Sequence, residues 1–250
     1  MPFYVSPEQM MKDRADYARK GIARGRSLVA FSIAEGIVIV AVNPSRTLYK
    51  ISEIYDRIAF AGVGMYNEFE MLRIAGVRQA DVKGYSYSRE DVNARSLANA
   101  YAQTLGQIFT HEMKPYEVEI LVAQVAPDQD DDQLFHVLYD GIFMDERGFA
   151  VLGGQAEQIA EALSGRYRDD LTLREAIRLG AQVLAGPGQP PVVAARLEVG
   201  VLERARARRA FRRVKGPELE TFLAPTTTGE DEPAPEPESE PAPEAEAGSG

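Results

Sequence analysis

The chain has 250 residues, of which 45% are hydrophobic, and it contains no cysteine. This length is sufficient to bury a sizeable core, and the lack of thiols excludes disulfides, thiol nucleophiles and thiolate metal sites. No apolar run approaches the ~20 residues of a membrane span, and the first nine residues lack the basic start and apolar core of a secretory signal. We therefore expect a cytoplasmic protein that does not bind a membrane.

The formal net charge of −10 is unevenly distributed. Residues 225–250 hold eight of the 38 acids and none of the 28 Lys and Arg residues, so the rest of the chain, with 30 acids and 28 bases, is near neutral at −2. Pro, Ala and Glu alternate in this tail, and such a composition cannot offset the entropy lost on ordering. We expect an N-terminal segment (1–7), one folded domain (8–224) and a disordered acidic tail (225–250).

The first predicted element is a helix with a clear start signal. Ser6 suits the N-cap, Pro7 the first helical position, and Gln9 the partner position of a capping box. Apolar residues then recur at helical spacing, namely Met11, Ala15, Ala18 and Ile22. Gly21 and Gly25 are expected to end this helix.

Strands dominate the next part of the chain. Two β-rich runs, 27–33 and 37–42, are predicted to form a hairpin that turns at Glu35-Gly36. Two further strands at 48–51 and 57–63 are predicted around a turn at 53–56. A helix at 65–76 is expected to follow.

The second half of the chain alternates between helices and strands. Ser88 begins a second capping box, which predicts that the longest helix follows at 92–111. Residues 117–125 have apolar side chains on both faces, which indicates a strand covered on two sides. The remaining predicted elements are a hairpin (134–139 and 142–144, turning at Asp140-Gly141), a strand (149–152), helices (156–167, and 173–184 after a capping Thr172), strands (196–202 and 210–214) and a closing helix (217–222). About ten strands with paired helices predict an α+β fold of two stacked antiparallel sheets flanked by helices.

Several segments together resemble one known family. The segment 17–25 leading into 27–31, the Asn-Pro-Ser-Arg segment 43–46, Lys-Ile-Ser-Glu at 50–53 and Lys-Pro-Tyr-Glu at 114–117 are similar to proteasome α subunits of the actinobacterial type. The resemblance covers about residues 6–222. It implies the four-layer α-β-β-α sandwich of the N-terminal-nucleophile hydrolases, and it implies no cofactor or metal.

The same resemblance implies a non-catalytic role. Catalytic β relatives begin their first strand with a freed threonine, whereas Arg26-Ser27 stands at that place here and a helix precedes it. By resemblance, heptameric rings of this chain would cap rings of β subunits, dock a regulatory ring ATPase or other cap, and admit protein substrates, including Pup-tagged ones. The segment gating the pore would comprise Met1, Pro2, Phe3, Tyr4, Val5, Ser6 and Pro7.

Lys50 is the residue with the most specific implied role. On sequence alone, a lysine at the start of a strand is usually exposed to solvent and has no functional role. The resemblance places Lys50 in a pocket between neighbouring subunits, where it pairs with the C-terminal carboxylate of the cap. Gly25 would supply close backbone to this pocket and Val63 an apolar wall, which suits the capture of a terminal carboxylate.

Two other readings remain open from the residues. A self-processing N-terminal-nucleophile hydrolase would need Ser27 as its nucleophile. A nucleic-acid-binding scaffold would use the basic run 204–215, although this run has few aromatics and a solvated hairpin with acidic neighbours is the simpler interpretation. From that interpretation we expect no bound nucleic acid. The two histidines, His111 and His136, have no partners at metal-ligand spacing, so we also expect no metal.

Overall fold

The structure, a computed structural model, describes residues 6–224. The predictions for residues 1–5 of the gate segment and for the acidic tail 225–250 lie outside these described residues. Within 6–224 no helix is long and apolar enough to cross a membrane.

The described chain folds into six α-helices and ten strands. The helices are α1 (Pro7–Arg24), α2 (Tyr66–Ser86), α3 (Ala94–His111), α4 (Ala156–Ser164), α5 (Leu173–Val183) and α6 (Pro217–Leu223). The strands are β1 (Leu28–Ile33), β2 (Gly36–Val42), β3 (Ile51–Tyr55), β4 (Ile58–Gly64), β5 (Val118–Gln124), β6 (Gln133–Val137), β7 (Phe143–Glu146), β8 (Phe149–Leu152), β9 (Leu197–Glu203) and β10 (Phe211–Val214).

The strands form two five-stranded antiparallel sheets stacked face to face. The strand order is β10-β9-β2-β1-β8 in the first sheet and β3-β4-β5-β6-β7 in the second. Alternate residues of β1 and β2 pack against β4 and β5 in a core between the sheets. Because strands β2, β4 and β5 are apolar on both faces, each sheet must also be covered on its outer side.

Helices cover both outer faces. Helices α2 and α3 pack on the β4–β5 sheet, and α4, α5 and α6 pack on the β1–β2 sheet. Helix α1 instead contributes Ala18 and Ile22 to the core between the sheets and contacts β4 and β5. The α+β prediction and the α-β-β-α layering are confirmed.

Several local predictions are confirmed with small shifts of boundary. Helix α1 begins with Ser6 as its N-cap, whose hydroxyl accepts a hydrogen bond from Gln9 N at 3.2 Å. Strand β8 has the predicted bounds, and the β1–β2 hairpin turns just before Gly36, whose φ of 147° favours glycine. Thr172 caps α5 with a complete capping box to Glu175.

Other local predictions are wrong. Residues 48–50 are not strand; strand β3 covers Ile51–Tyr55, where a turn was predicted. The Gln9 side chain does not complete a capping box, because its amide donates to Asp13 at 2.7 Å instead. Ser88 caps a short 3₁₀ turn rather than the following helix, which is capped by Asn93. The longest helix is α2, with 21 residues, rather than α3 with 18.

Two glycines expected at or near helix ends lie inside helices. A Cβ on Gly21 would clash with the side chain of Glu117, and a Cβ on Gly76 would clash with the hydroxyl of Tyr101. These glycines allow a neighbouring element to approach the helix closely. Neither glycine ends its helix: α1 continues to Arg24 and α2 continues to Ser86.

Candidate functional site

The segment that carries Lys50 is fixed by one buried carboxylate. The Glu198 side chain, on β9 of the opposite sheet, accepts a hydrogen bond from Lys50 N at 2.8 Å and from Ile51 N at 3.0 Å. It also accepts from Asn43 Nδ2 at 2.7 Å and Arg213 Nη1 at 2.7 Å. Glu198 is only 8% exposed. The short connection from β2 to β3 is thereby tied to the β9–β10 edge of the other sheet.

The side chain of Lys50 lies half-buried beside the end of α1. Its Nζ donates to the backbone oxygen of Arg26 at 2.6 Å. Burial lowers the pKa of Lys50 from its ordinary 10.5 to about 8, with Glu198 acting to raise it and Arg26 to lower it further. At pH 7 Lys50 is therefore still mostly protonated, and its charge faces a carbonyl rather than a carboxylate of its own.

Gly25 precedes the Arg26 whose carbonyl binds Lys50, and Val63 lies against Gly25. Gly25 ends α1 and donates its N–H to Ile22 O at 2.8 Å. A Cβ on Gly25 would lie 2.9 Å from Gly64 N and 3.0 Å from Val63 Cγ1, so only glycine allows the chain to pass β4 this closely. Val63 itself is fully buried against this crossing.

The structure therefore brings Lys50, Gly25 and Val63 together around Arg26. The Lys50 ammonium lies near the surface, where it binds the Arg26 carbonyl. The backbone of Gly25 packs against the buried side chain of Val63. The role of Val63 as an apolar wall for a ligand stays a prediction.

A stack of cationic and aromatic side chains flanks Lys50. The ring of Tyr49 lies 4.0 Å from the guanidinium carbon of Arg213 and 4.8 Å from Lys215 Nζ, which also donates to the Tyr49 hydroxyl at 3.1 Å. Such cation–π contacts stabilise the ring and concentrate positive charge beside Lys50. The surroundings of the site are therefore suited to an anionic group.

Sequence reasoning missed Glu198 and Arg213. The signal for Glu198 was present, because it is an acid inside a strand whose next four residues are apolar or glycine, and a buried charge requires partners. Its partners lie 15 to 155 residues away in sequence, so no local pattern could have identified them.

The two described residues of the gate segment belong to the start of α1. Ser6 is the helix N-cap and Pro7 is its first residue. Helix α1 thus runs directly from this segment to Gly25 at the Lys50 site, a length of about 27 Å for 18 residues.

Most of the basic run 204–215 is paired within the chain. Arg204 binds both oxygens of Asp132 at 2.8 Å and also donates to three backbone carbonyls. Ion pairs also join Arg206 to Glu203 and Arg212 to Glu203 and Glu218. The pairing supports the interpretation of a structural hairpin.

Ser27 immediately precedes β1 and is 8% exposed. Its nitrogen is part of the peptide bond to Arg26, whose carbonyl accepts the hydrogen bond from Lys50. A nucleophile of the N-terminal type would need this peptide bond to be cleaved, and the chain before it forms helix α1 and supplies the Arg26 carbonyl that binds Lys50.

Neither histidine has metal-ligating partners in residues 6–224, where no cluster of three or more suitable side chains occurs. His136 Nε2 lies 3.4 Å from Glu119 Oε2, and His111 Nδ1 lies 2.7 Å from the hydroxyl of Thr110.

The layered sandwich, with helix α1 in front of its first strand, defines a member of the N-terminal-nucleophile fold class. Comparison with known proteins narrows this class. The model of the family described as "Proteasome subunit" matches residues 22–186. The chain belongs to the proteasome subunit family, as an alpha subunit of the actinobacterial type.

Similar proteins are named "Proteasome subunit alpha". One from Sanguibacter keddieii is 62% identical, over 94% of this chain and 95% of its own length. Another from Kineococcus radiotolerans is 58% identical, over 90% of this chain and 98% of its own, and one from Frankia alni is 56% identical, over 91% and 98%.

Proposed function

We propose that this chain forms the outer heptameric rings of a proteasome core particle, stacked on rings of β subunits, and supplies no peptidase nucleophile itself. Its family membership and the names of its relatives support the ring role. The residues before the first strand support the non-catalytic role, because Arg26-Ser27 stands where a catalytic relative has its threonine and helix α1 leads directly into this place. Peptide hydrolysis then belongs to the β subunits.

We further propose that Lys50 binds the C-terminal carboxylate of a regulatory ring ATPase. The observation that carries this is the electrostatic state of Lys50. The nearby carboxylate, Glu198, is already occupied by four donors, while within residues 6–224 the Lys50 ammonium donates only to the Arg26 carbonyl. An incoming carboxylate would meet a cation that no internal anion neutralises in full. Gly25 would contribute by letting the backbone that presents the Arg26 carbonyl pass close to β4.

The gate and the substrates complete the proposal. Residues 1–7 would close the pore at the ring axis, and helix α1 would connect this segment to the docking site at its other end. The particle would degrade proteins in the cytoplasm, including those tagged with the modifier Pup. These assignments come from the resemblance to the family, and the continuity of α1 from Ser6 to Gly25 supports the connection between gate and site.

Substituting Lys50 tests the docking proposal. Lys50→Ala should remove one charge-assisted hydrogen bond per pocket, worth about 1.5–3 kcal/mol, and engagement of several pockets at once multiplies the loss through avidity. The assay is binding of the purified ring ATPase to assembled particles, together with ATPase-dependent degradation of a tagged protein.

The matched control is Lys20→Ala, because Lys20 is an exposed lysine on α1. Rings should assemble in both variants, and hydrolysis of small peptides by particles with residues 1–5 deleted should be unchanged. Normal ATPase-dependent degradation by Lys50→Ala particles would refute the docking role. Failure of this variant to form rings would show instead that Lys50 is needed for assembly.

A further inference from the structure

One carboxylate organises both ends of the segment that presents Lys50. Glu198 binds Asn43 where the segment leaves β2, and binds the backbone N–H groups of Lys50 and Ile51 where it enters β3. Asn43 Nδ2 additionally donates to Leu48 O at 2.7 Å. Two consecutive N–H groups bound to the two oxygens of one carboxylate fix the backbone direction at Lys50.

Arg213 holds this carboxylate in place. Its guanidinium donates to Glu198 Oε1 through Nη1 at 2.7 Å and to Ile51 O through Nη2 at 2.6 Å. The planar guanidinium therefore binds both Glu198 and the strand that Glu198 binds. Because burying a charged pair is expensive, a well-packed apolar pair at the same place would be expected to stabilise the fold equally well. The ionic arrangement therefore calls for a further explanation.

We propose that Glu198 is the positioning residue of the Lys50 docking site: its buried carboxylate fixes the Lys50 backbone and places a negative charge beside this residue. This inference rests on the proposed docking function, which it deepens. Glu198 does not touch the incoming ligand. It acts through Lys50, by orienting its backbone and by maintaining its charge.

The charges around Lys50 are consistent with this role. Arg26, at the end of α1, opposes protonation of Lys50, and Arg213 and Lys215 lie around the adjacent Tyr49. Among the groups that shift the pKa of Lys50, Glu198 is the one that raises it, against the larger lowering by burial. Without Glu198, a larger share of Lys50 would be neutral at physiological pH, and a neutral amine binds a carboxylate weakly.

The first test measures Lys50 directly, without any docking partner. Intact particles are treated with trace acetic anhydride over a range of pH, and acetylation of Lys50 is quantified by peptide mass spectrometry. Glu198→Gln should lower the pKa of Lys50 and raise its neutral fraction at pH 7, so labelling at this pH should rise several-fold and its pH midpoint should fall. Glu203→Gln is the matched control, because Glu203 is on the same strand and pairs with Arg206 and Arg212.

The second test separates position from charge. Asn43→Ala removes one anchor of the segment but retains Glu198, so it should leave the pH profile of Lys50 labelling in place while speeding hydrogen exchange of the Lys50 and Ile51 amides. Both Asn43→Ala and Glu198→Gln particles should bind the ring ATPase several-fold more weakly than Glu203→Gln particles. Hydrolysis of small peptides by gate-deleted particles should be the same in all three.

Unchanged Lys50 labelling in Glu198→Gln, or an equal change in Glu203→Gln, would overturn the inference. So would normal ATPase binding by both Glu198→Gln and Asn43→Ala particles when Lys50→Ala particles fail to bind. If Glu198→Gln does not fold, the Asn43→Ala exchange and binding measurements decide the positioning role. Normal binding by Lys50→Ala particles would instead refute the docking function, and the labelling profile would still report whether Glu198 controls Lys50.

Discussion

The lowered pKa of Lys50 predicts an unusual dependence of stability on pH. The folded chain holds this lysine at a pKa of about 8, mainly through burial, against an ordinary 10.5 in the unfolded chain. Between these two values the unfolded state binds more protons than the folded state, so stability contributed by this site rises with pH. Below pH 8 both states are protonated, and the full penalty for the buried charge remains.

The magnitude follows from the two pKa values. A shift from 10.5 to 8 corresponds to about 3.4 kcal/mol of penalty at low pH, of which about 2 kcal/mol is relieved between pH 7 and pH 9.5. Solvent reaches part of the half-buried side chain and screens the charge, so we discount this relief to about 1 kcal/mol. For a domain of this size that corresponds to about 2–4 °C in melting temperature.

The assay compares wild-type chain with Lys50→Met by urea unfolding at pH 7, 8, 9 and 9.5. The stability of wild type relative to Lys50→Met should increase by about 1 kcal/mol across this range, because methionine has similar volume and no proton to lose. The same comparison for Lys20→Met, an exposed lysine on α1, should stay within about 0.5 kcal/mol. A flat difference for Lys50→Met, or a fall with rising pH, would refute the argument that Lys50 is held as a partly buried cation.

Three further outcomes are expected. The chain purified without β subunits should have no peptidase activity and an intact mass that includes the residues before Ser27; hydrolysis that is lost in Ser27→Ala would contradict this. Deleting residues 1–5, which retains the helix cap, should raise peptide turnover by assembled particles, and an unchanged rate would place the gate elsewhere. Arg204→Met should destabilise the fold by about 3–5 kcal/mol in urea unfolding, because it leaves buried Asp132 without its cation, whereas exposed Arg206→Met should change stability by about 1 kcal/mol or less.

The elements that depend on neighbouring residues in the sequence were predictable. The Ser6-Pro7 start, the β1–β2 hairpin and the Thr172 cap each depend on residues within a few positions of one another, and the structure has all three. Strand β5 was also predictable, because a run that is apolar on both faces must be covered on both.

The errors arose where tertiary contacts override local signals. Gly21 and Gly76 were expected at or near helix ends, yet they make room for Glu117 and Tyr101 from other elements. Strand β3 was misplaced because its pairing with β4 includes an irregularity between Glu53 and Tyr55, which no sequence pattern indicates.

Sequence reasoning likewise identified some residues of the candidate site and missed others. Lys50, Gly25 and Val63 were identified through the resemblance of their segments to a family, and the structure places them side by side. The Glu198 and Arg213 side chains that hold Lys50 come from the far end of the sequence, and their contacts depend on the stacking of two sheets.

The attachment of Lys50 to the opposite sheet has a mechanical consequence. If a ring ATPase docks at Lys50 as proposed, it exerts force on this contact while it unfolds a substrate, and a lysine held only by the edge strand β3 would transmit that force into a single strand pair. A load at Lys50 would instead pass through Glu198 and Arg213 into β9 and β10, and so into the opposite sheet. Several hydrogen bonds then share the force in parallel, and single-molecule pulling through residue 50 should yield a rupture force that falls when Glu198 is replaced.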